Sequence, residues 1–109
     1  MSGTVIIGTS GYSYKDWVGT VYPAGTKREE YLRRYAELFS LVEINFSYYR
    51  NPDPHILSRI AEKTPEHFSM TVKGFRALTH DRGVGWKKEA ETFSRGVRPV
   101  LERGKLSGI

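Results

Sequence analysis

Short runs of β-forming residues alternate with amphipathic stretches of helical period, and this order constrains the fold more than any other feature of the sequence. The predicted strands cover residues 4–8, 41–46 and 68–73, and Leu106 begins a fourth. Each connection is long enough for a right-handed crossover between parallel neighbours. The sequence therefore predicts an α/β fold with a parallel sheet.

The predicted helices follow from apolar side chains that recur about every three to four residues. The first helix covers residues 27–39, and the second begins at Pro54 with Asp53 as its N-cap. The third ends before Gly104, a suitable C-cap, and Pro99 is expected to kink or restart it.

Alternation within the strands separates two kinds of α/β architecture. Val42, Ile44 and Phe46 share one face of the second strand, whereas Glu43 and Asn45 share the other. The third strand repeats this pattern, with apolar Phe68, Met70 and Val72 alternating with polar Ser69, Thr71 and Lys73. A doubly wound sheet is covered by helices on both faces, whereas a barrel carries helices only outside. The pattern favours a parallel β/α barrel of the TIM type.

The length of the chain limits how much of such a barrel it can contain. It has 109 residues, whereas a complete barrel of eight units needs roughly 250. We therefore expect residues 1–109 to form the N-terminal part of a single barrel domain, with about three β/α units and the start of a fourth strand, truncated before closure. Exposed sheet edges would then allow self-association with a second copy.

Composition narrows the partners and the chemistry. The 17 Lys and Arg residues exceed the 12 Asp and Glu residues by a formal charge of +5, which favours an anionic small molecule or nucleic acid, although solvated helix faces also explain these scattered charges. Cysteine is absent, which removes disulfides and thiolate chemistry. No apolar run approaches the roughly 18 residues of a membrane span, and no secretory signal precedes the apolar run near Val5. We expect a cytoplasmic protein that does not enter the membrane.

Polar side chains gather where the second and third predicted strands end. Glu43, Asn45 and Lys73 lie toward the carboxyl ends, where β/α barrels build their sites. Glu43 can act as a general acid or base, Lys73 as an anion anchor or electrostatic stabiliser, and Asn45 can orient a substrate. The alternative is that Glu43 and Lys73 form a structural ion pair inside the barrel.

Residues in the predicted loops supply further candidates. Aromatic side chains after strands, notably Tyr12 and Trp17, can stack on a sugar or base or can line the mouth; Tyr14 and Trp86 share this property. Arg50 can clamp a phosphate, and His80, beside Asp81, can transfer a proton or bind a metal. No metal site is expected, because His55 and His67 fall in no recognised ligand spacing.

Several short stretches resemble one known family. They are Gly8-Thr9-Ser10-Gly11-Tyr12, Asp16-Trp17, Tyr22-Pro23, Val42-Glu43-Ile44-Asn45, Tyr48-Tyr49-Arg50, and Lys73 with Thr79-His80. Their order and spacing resemble domain of unknown function 72, the YecE-like family. The resemblance implies a β/α barrel about twice this long, with no settled activity. It implies motif residues at Ser10, Tyr12, Trp17, Glu43, Asn45, Tyr49, Lys73 and His80.

These observations support an enzyme-like barrel that binds a phosphorylated, sugar-containing or nucleic-acid ligand at the mouth. The candidate catalytic residues are Glu43, Lys73 and His80. The candidate ligand-binding residues are Ser10, Tyr12, Trp17, Asn45, Tyr49 and Arg50. The sequence identifies no cofactor and leaves open whether the protein is an enzyme. The alternatives are a non-catalytic barrel that binds nucleic acid or protein, and a fragment that self-associates to complete its fold.

Overall fold

A parallel sheet lies at the centre of the computed structural model, which describes residues 3–76 and 85–109. Its strands are β1 (Thr9–Ser10), β2 (Leu41–Ile44), β3 (Ser69–Val72) and β4 (Leu106–Gly108). They lie side by side in chain order, and every neighbouring pair is parallel. The predicted α/β fold with a parallel sheet is confirmed. Over the described ranges the sheet stays open and does not close into a barrel.

Helices connect the successive strands. They are α1 (Tyr31–Leu38), α2 (Phe46–Tyr49), α3 (Pro54–Glu62) and α4 (Trp86–Glu102). A single 3₁₀ turn, Arg28–Glu30, leads into α1, so the first predicted helix begins as 3₁₀ and continues as α. Another 3₁₀ turn, Lys15–Trp17, lies in the segment that was expected to be a plain loop.

The ends of α3 and α4 follow the capping chemistry that the sequence indicates. The Asp53 side chain accepts a hydrogen bond from the His55 amide at 2.8 Å, with Pro54 at the first helical position. Gly104 has a φ of 69° just after α4, as a C-cap glycine requires. Of the expected kink or restart at Pro99, the restart is wrong, because α4 runs through this residue. Proline removes one hydrogen bond there, close to the helix end, and burial of the same helix face outweighs that loss.

The hydrophobic core lies between one face of the sheet and the helices. Val42 and Ile44 of β2 and Met70 and Val72 of β3 are buried, which confirms the predicted alternation within both strands. The helices contribute buried side chains to the same cluster: Leu32 and Tyr35 from α1, Leu57 and Ile60 from α3, and Phe93, Val97 and Val100 from α4. The opposite face of the sheet carries the polar side chains.

The first predicted strand is wrong in position. Residues 4–8 are not a strand, and Val5, Ile6 and Ile7 are 85%, 54% and 69% exposed. Pairing with β2 begins only at Thr9, which lies opposite Val42. β-branched residues favour a strand only when a neighbour supplies the ladder, and within the described residues none pairs with this segment.

The second predicted strand ends two residues early. Phe46 begins α2 instead of continuing β2. The hydroxyl of buried Ser47 lies 2.5 Å from the Lys73 carbonyl oxygen and 3.2 Å from that of Ile44. These contacts hold the turn against the end of β3, so the chain leaves the sheet. Trp86 likewise begins α4 instead of lying in a loop.

Candidate functional site

Three polar side chains meet at the carboxyl ends of β1 and β2. Ser10 lies directly opposite Glu43 across the parallel pair, and its hydroxyl donates to Glu43 Oε1 at 3.3 Å. The Asn45 amide nitrogen donates to the Ser10 hydroxyl oxygen. Because paired residues of adjacent strands point to the same face, the cluster lies on the side of the sheet opposite the core. The structure thus brings together three of the residues that the sequence nominates.

Asn45 retains an unused hydrogen-bonding atom in this cluster. Its side-chain oxygen, as the amide is oriented here, is buried and has no hydrogen-bond partner. A buried acceptor without a partner costs free energy. A ligand hydroxyl that donates to this oxygen would recover that cost, so the atom is a natural anchor for a polar ligand.

Two cavities adjoin the cluster and share Glu43. One, of about 180 Å³, lies beside Tyr12, Tyr14, Asn45 and Phe46. The other, of about 440 Å³, lies beside Thr71, Lys73 and Gly108 at the ends of β3 and β4. The Glu43 carboxylate therefore lies between a cavity with an aromatic wall and a cavity lined by the cation of Lys73. This arrangement suits a ligand that combines a ring bearing hydroxyl groups with an anionic group.

Lys73 lies beside the second cavity without neutralising Glu43. Among the described residues, no ion pair joins the two side chains, so the alternative of a structural ion pair between Glu43 and Lys73 is wrong. Lys73 is exposed, and its ammonium lies 4.9 Å from the centre of the Tyr48 ring. This cation–π contact holds the charge beside the cavity. It follows from the turn into α2, which the sequence did not indicate.

The two aromatic candidates of the first loop take different roles. Tyr12 contacts the core and lines the smaller cavity; burial raises the pKa of its hydroxyl, and the charge of Arg28 partly offsets this. Trp17 instead packs against Tyr22 and Tyr35, with ring centres 5.6 and 6.5 Å away. It supports the loop and lines neither cavity of the site.

Two other nominated residues lie apart from the cluster. Tyr49 is 69% exposed on α2, and Arg50 is exposed just after it. Neither lines the two cavities. His80 lies outside the described residues, and its role stays a prediction. The sequence did not indicate Thr71 as a site residue, because its position opposite Glu43 depends on the register of β2 against β3.

In residues 3–76 and 85–109, no group of three His, Asp or Glu side chains is arranged to hold a metal ion. Within the same ranges, no helix has the length and apolar character that crossing a membrane requires.

Comparison with known proteins places the chain in a family. The family described as "Protein of unknown function DUF72" matches residues 6–109. The chain belongs to this family. The resemblance inferred from the motifs is thereby confirmed, and the DUF72 match includes Ser10, Glu43, Asn45 and Lys73.

Individual DUF72 and UPF0759 proteins are similar over nearly the whole chain. UPF0759 protein YunF of Bacillus subtilis (strain 168) is 28% identical, and the match covers 96% of this chain and 38% of YunF. The crystal structure of a DUF72 family protein from Thermotoga maritima MSB8 is 34% identical, with a TM-score of 0.78, and the match covers 96% of this chain and 42% of that one.

A more distant solved structure shows the same fold. A DUF72 family protein from Enterococcus faecalis V583 is 22% identical, with a TM-score of 0.76 over 95% of this chain and 38% of that one. The chain therefore spans about two-fifths of the length of these relatives.

Proposed function

We propose that this DUF72 chain forms the first part of a TIM-type β/α barrel whose site, at the carboxyl ends of the strands, binds a phosphorylated sugar. Two features of the sheet support the barrel: α1, α3 and α4 pack on its apolar face, and polar side chains occupy the other. The greater length of the relatives leaves room for further β/α units.

The observation that carries the proposed function is the hydrogen-bonded cluster of Ser10, Glu43 and Asn45 between two cavities. The Glu43 carboxylate accepts hydrogen bonds from sugar hydroxyls, and the free oxygen of Asn45 accepts another. The rings of Tyr12 and Tyr14 form an apolar wall for the sugar face.

The phosphate is assigned to the other side of Glu43. Lys73 is the cation beside the larger cavity, and its ammonium binds a phosphate as a point charge. Glu43 then faces the sugar carbons as a general acid or base. His80 is retained as a second proton-transfer residue on the grounds of the sequence.

Calorimetric titration with ribose 5-phosphate tests the binding site. We expect Glu43→Gln and Lys73→Gln each to weaken binding about tenfold, as the loss of one charge-assisted hydrogen bond implies. Glu102→Gln and Lys88→Gln, both at exposed positions of α4, are matched controls and should bind normally. Equal binding by all four variants would overturn the site.

The proposed role of Glu43 has a separate readout. A general base removes the hydrogen on the carbon next to the sugar carbonyl and lets it exchange with solvent. In heavy water, proton NMR should therefore show that deuterium enters ribose 5-phosphate in the presence of the unmodified protein but not in the presence of Glu43→Gln. Exchange that persists in Glu43→Gln would remove Glu43 from the chemistry. Binding of a short oligonucleotide that is salt-sensitive and survives Glu43→Gln would favour the non-catalytic alternative instead.

We also propose that the sheet edges allow the chain to pair with a second copy. Among the described residues, β1 pairs on one side only, and the exposed apolar run Val5-Ile6-Ile7 leads into it. Sedimentation should show a dimer that Ile6→Lys dissociates and that exposed Lys88→Gln leaves intact. A monomer at all protein concentrations would contradict this association.

A further inference from the structure

A third cavity lies on the helix side of the sheet. It has a volume of about 220 Å³ and is bounded by the 3₁₀ turn before α1, by the beginning of α1 and by one side of α3. Tyr12 and Phe46 line both this cavity and the smaller cavity of the strand-end site. These two residues therefore lie where the two cavities adjoin. We call the cavity beside α3 the helix groove.

The α3 side of the helix groove follows from helical spacing. Ile56, Arg59, Ile60 and Lys63 recur at intervals of three, one and three residues, which places them along one stripe of the helix and its C-cap. Ile60 is buried at the floor, whereas Ile56 is 40% exposed at the rim. The stripe thus offers an apolar surface beside two cations.

The α1 side supplies matching chemistry. Buried Leu32 extends the apolar floor, and Arg28 adds a third cation. Glu29 is the one acidic residue in the lining, so the groove carries a formal net charge of +2. A phosphate monoester carries about −1.5 to −2 at neutral pH. The charge of the groove therefore matches that of one such group.

The three cations are available to a ligand. Among the described residues, Arg28, Arg59 and Lys63 take part in no ion pair; the pairs formed there involve Arg34, Arg95 and Arg103. Three like charges around one small space repel each other, and an anion placed among them relieves this repulsion. Arginine adds a planar fork of donors that suits phosphate oxygens.

We propose that the helix groove binds a small organic phosphate monoester. Its phosphate lies among Arg28, Arg59 and Lys63, and its aromatic or alkyl group lies on the floor of Leu32 and Ile60. The modest volume admits a single ring with its phosphate. The groove shares Tyr12 and Phe46 with the strand-end site but contains neither Glu43 nor Lys73.

Phenyl phosphate is the probe, measured by calorimetry on the whole chain. Phenol and inorganic phosphate are its two halves, and each should bind at least about tenfold more weakly than phenyl phosphate. Phenol lacks the contacts with the cations, and inorganic phosphate lacks the apolar group that the groove buries. Inorganic phosphate that binds as tightly as phenyl phosphate would overturn the apolar half of the proposal.

Substitutions locate the probe. Arg59→Gln and Lys63→Gln should each weaken phenyl phosphate binding about tenfold, whereas Arg98→Gln and Lys88→Gln, at exposed positions of α4, should not. Circular dichroism checks that each variant is folded, and exposed Ile56→Ser tests the apolar rim without removing a buried side chain.

Two outcomes would overturn the proposal that the helix groove binds a phosphate monoester, while leaving the strand-end proposal intact. One is phenyl phosphate binding that is weakened by Glu43→Gln and Lys73→Gln but not by Arg59→Gln, which would move the ligand to the strand ends. The other concerns vesicles that present phosphatidic acid, the same monoester on a membrane surface. Capture by these vesicles without binding of phenyl phosphate would exclude a small soluble ligand.

Discussion

Lys105 binds Thr64 through two hydrogen bonds, from its ammonium to the carbonyl oxygen and to the hydroxyl of Thr64, both at 2.9 Å. A third bond, at 2.5 Å, reaches the carbonyl oxygen of Ala61 in the last turn of α3. Lys105 is only 6% exposed, and burial, with a smaller effect from Arg103, lowers its pKa. A buried cation thus satisfies carbonyl groups that every helix end leaves without partners.

Replacing Lys105 with methionine should destabilise the fold by about 2–3 kcal/mol, because the buried acceptors at the end of α3 lose their donor. The side chain of methionine keeps most of the volume, so the effect reports the hydrogen bonds. Urea unfolding measures the change, and Lys88→Met at an exposed position of α4 is the control. Equal stability of the two variants would show that water replaces the ammonium.

Tyr35→Phe should cost about 1–3 kcal/mol, because it leaves two partly buried backbone groups without their partner. The hydroxyl of fully buried Tyr35 donates to the Leu41 carbonyl at 2.7 Å and accepts from the Thr9 amide at 2.8 Å. It therefore joins α1 to the first residues of β1 and β2. Thermal unfolding of this variant can be compared with that of Tyr49→Phe, whose side chain is exposed and should lose nothing.

Gly96→Ala should destabilise the protein by about 1–3 kcal/mol through overpacking. A β-carbon at this position would lie 2.2 Å from the Pro52 carbonyl oxygen, so α4 would have to move away from the turn before α3. Gly85→Ala is a suitable control at the start of α4, because its β-carbon would contact nothing within 4 Å. Similar urea midpoints for both variants would mean that the turn yields easily.

Tyr22 should ionise late in an alkaline titration. Burial and the neighbouring tyrosines raise its pKa from 10.0 to about 12. Between these values the unfolded chain has lost this proton and the folded chain keeps it, so the contribution of Tyr22 to stability is complete below about pH 10 and is lost as the pH rises toward 12. Tyrosinate absorbance should show a late component that Tyr22→Phe removes and that is absent in urea.

Local patterns were enough to predict much of the secondary structure. The alternation around Glu43 and Thr71 correctly indicated which faces of β2 and β3 are buried. Asp53 and Gly104 marked helix ends, because capping depends on residues that are adjacent in sequence. The strand predicted at residues 4–8 failed because its β-branched residues need a partner that no local pattern supplies.

The candidate site was predicted only in part, because its contacts join residues far apart in the chain. The sequence placed Glu43 and Asn45 near a strand end, but the hydrogen bonds to Ser10 depend on the register of β1 against β2. Likewise, Trp17 lies partly buried against the core, because Tyr22 and Tyr35 pack beside it.

By itself, the sequence determined that helices connect parallel strands, which faces of β2 and β3 are polar and apolar, and the family. These properties depend on residues that are close in sequence. The spacing of apolar residues within a strand or helix, for example, fixes which face each side chain occupies. Only the tertiary structure decided that Lys73 lies over Tyr48 instead of pairing with Glu43, and that three cations surround one helix groove. Such contacts depend on how the elements pack together, because packing sets the distances between groups that the chain itself keeps far apart.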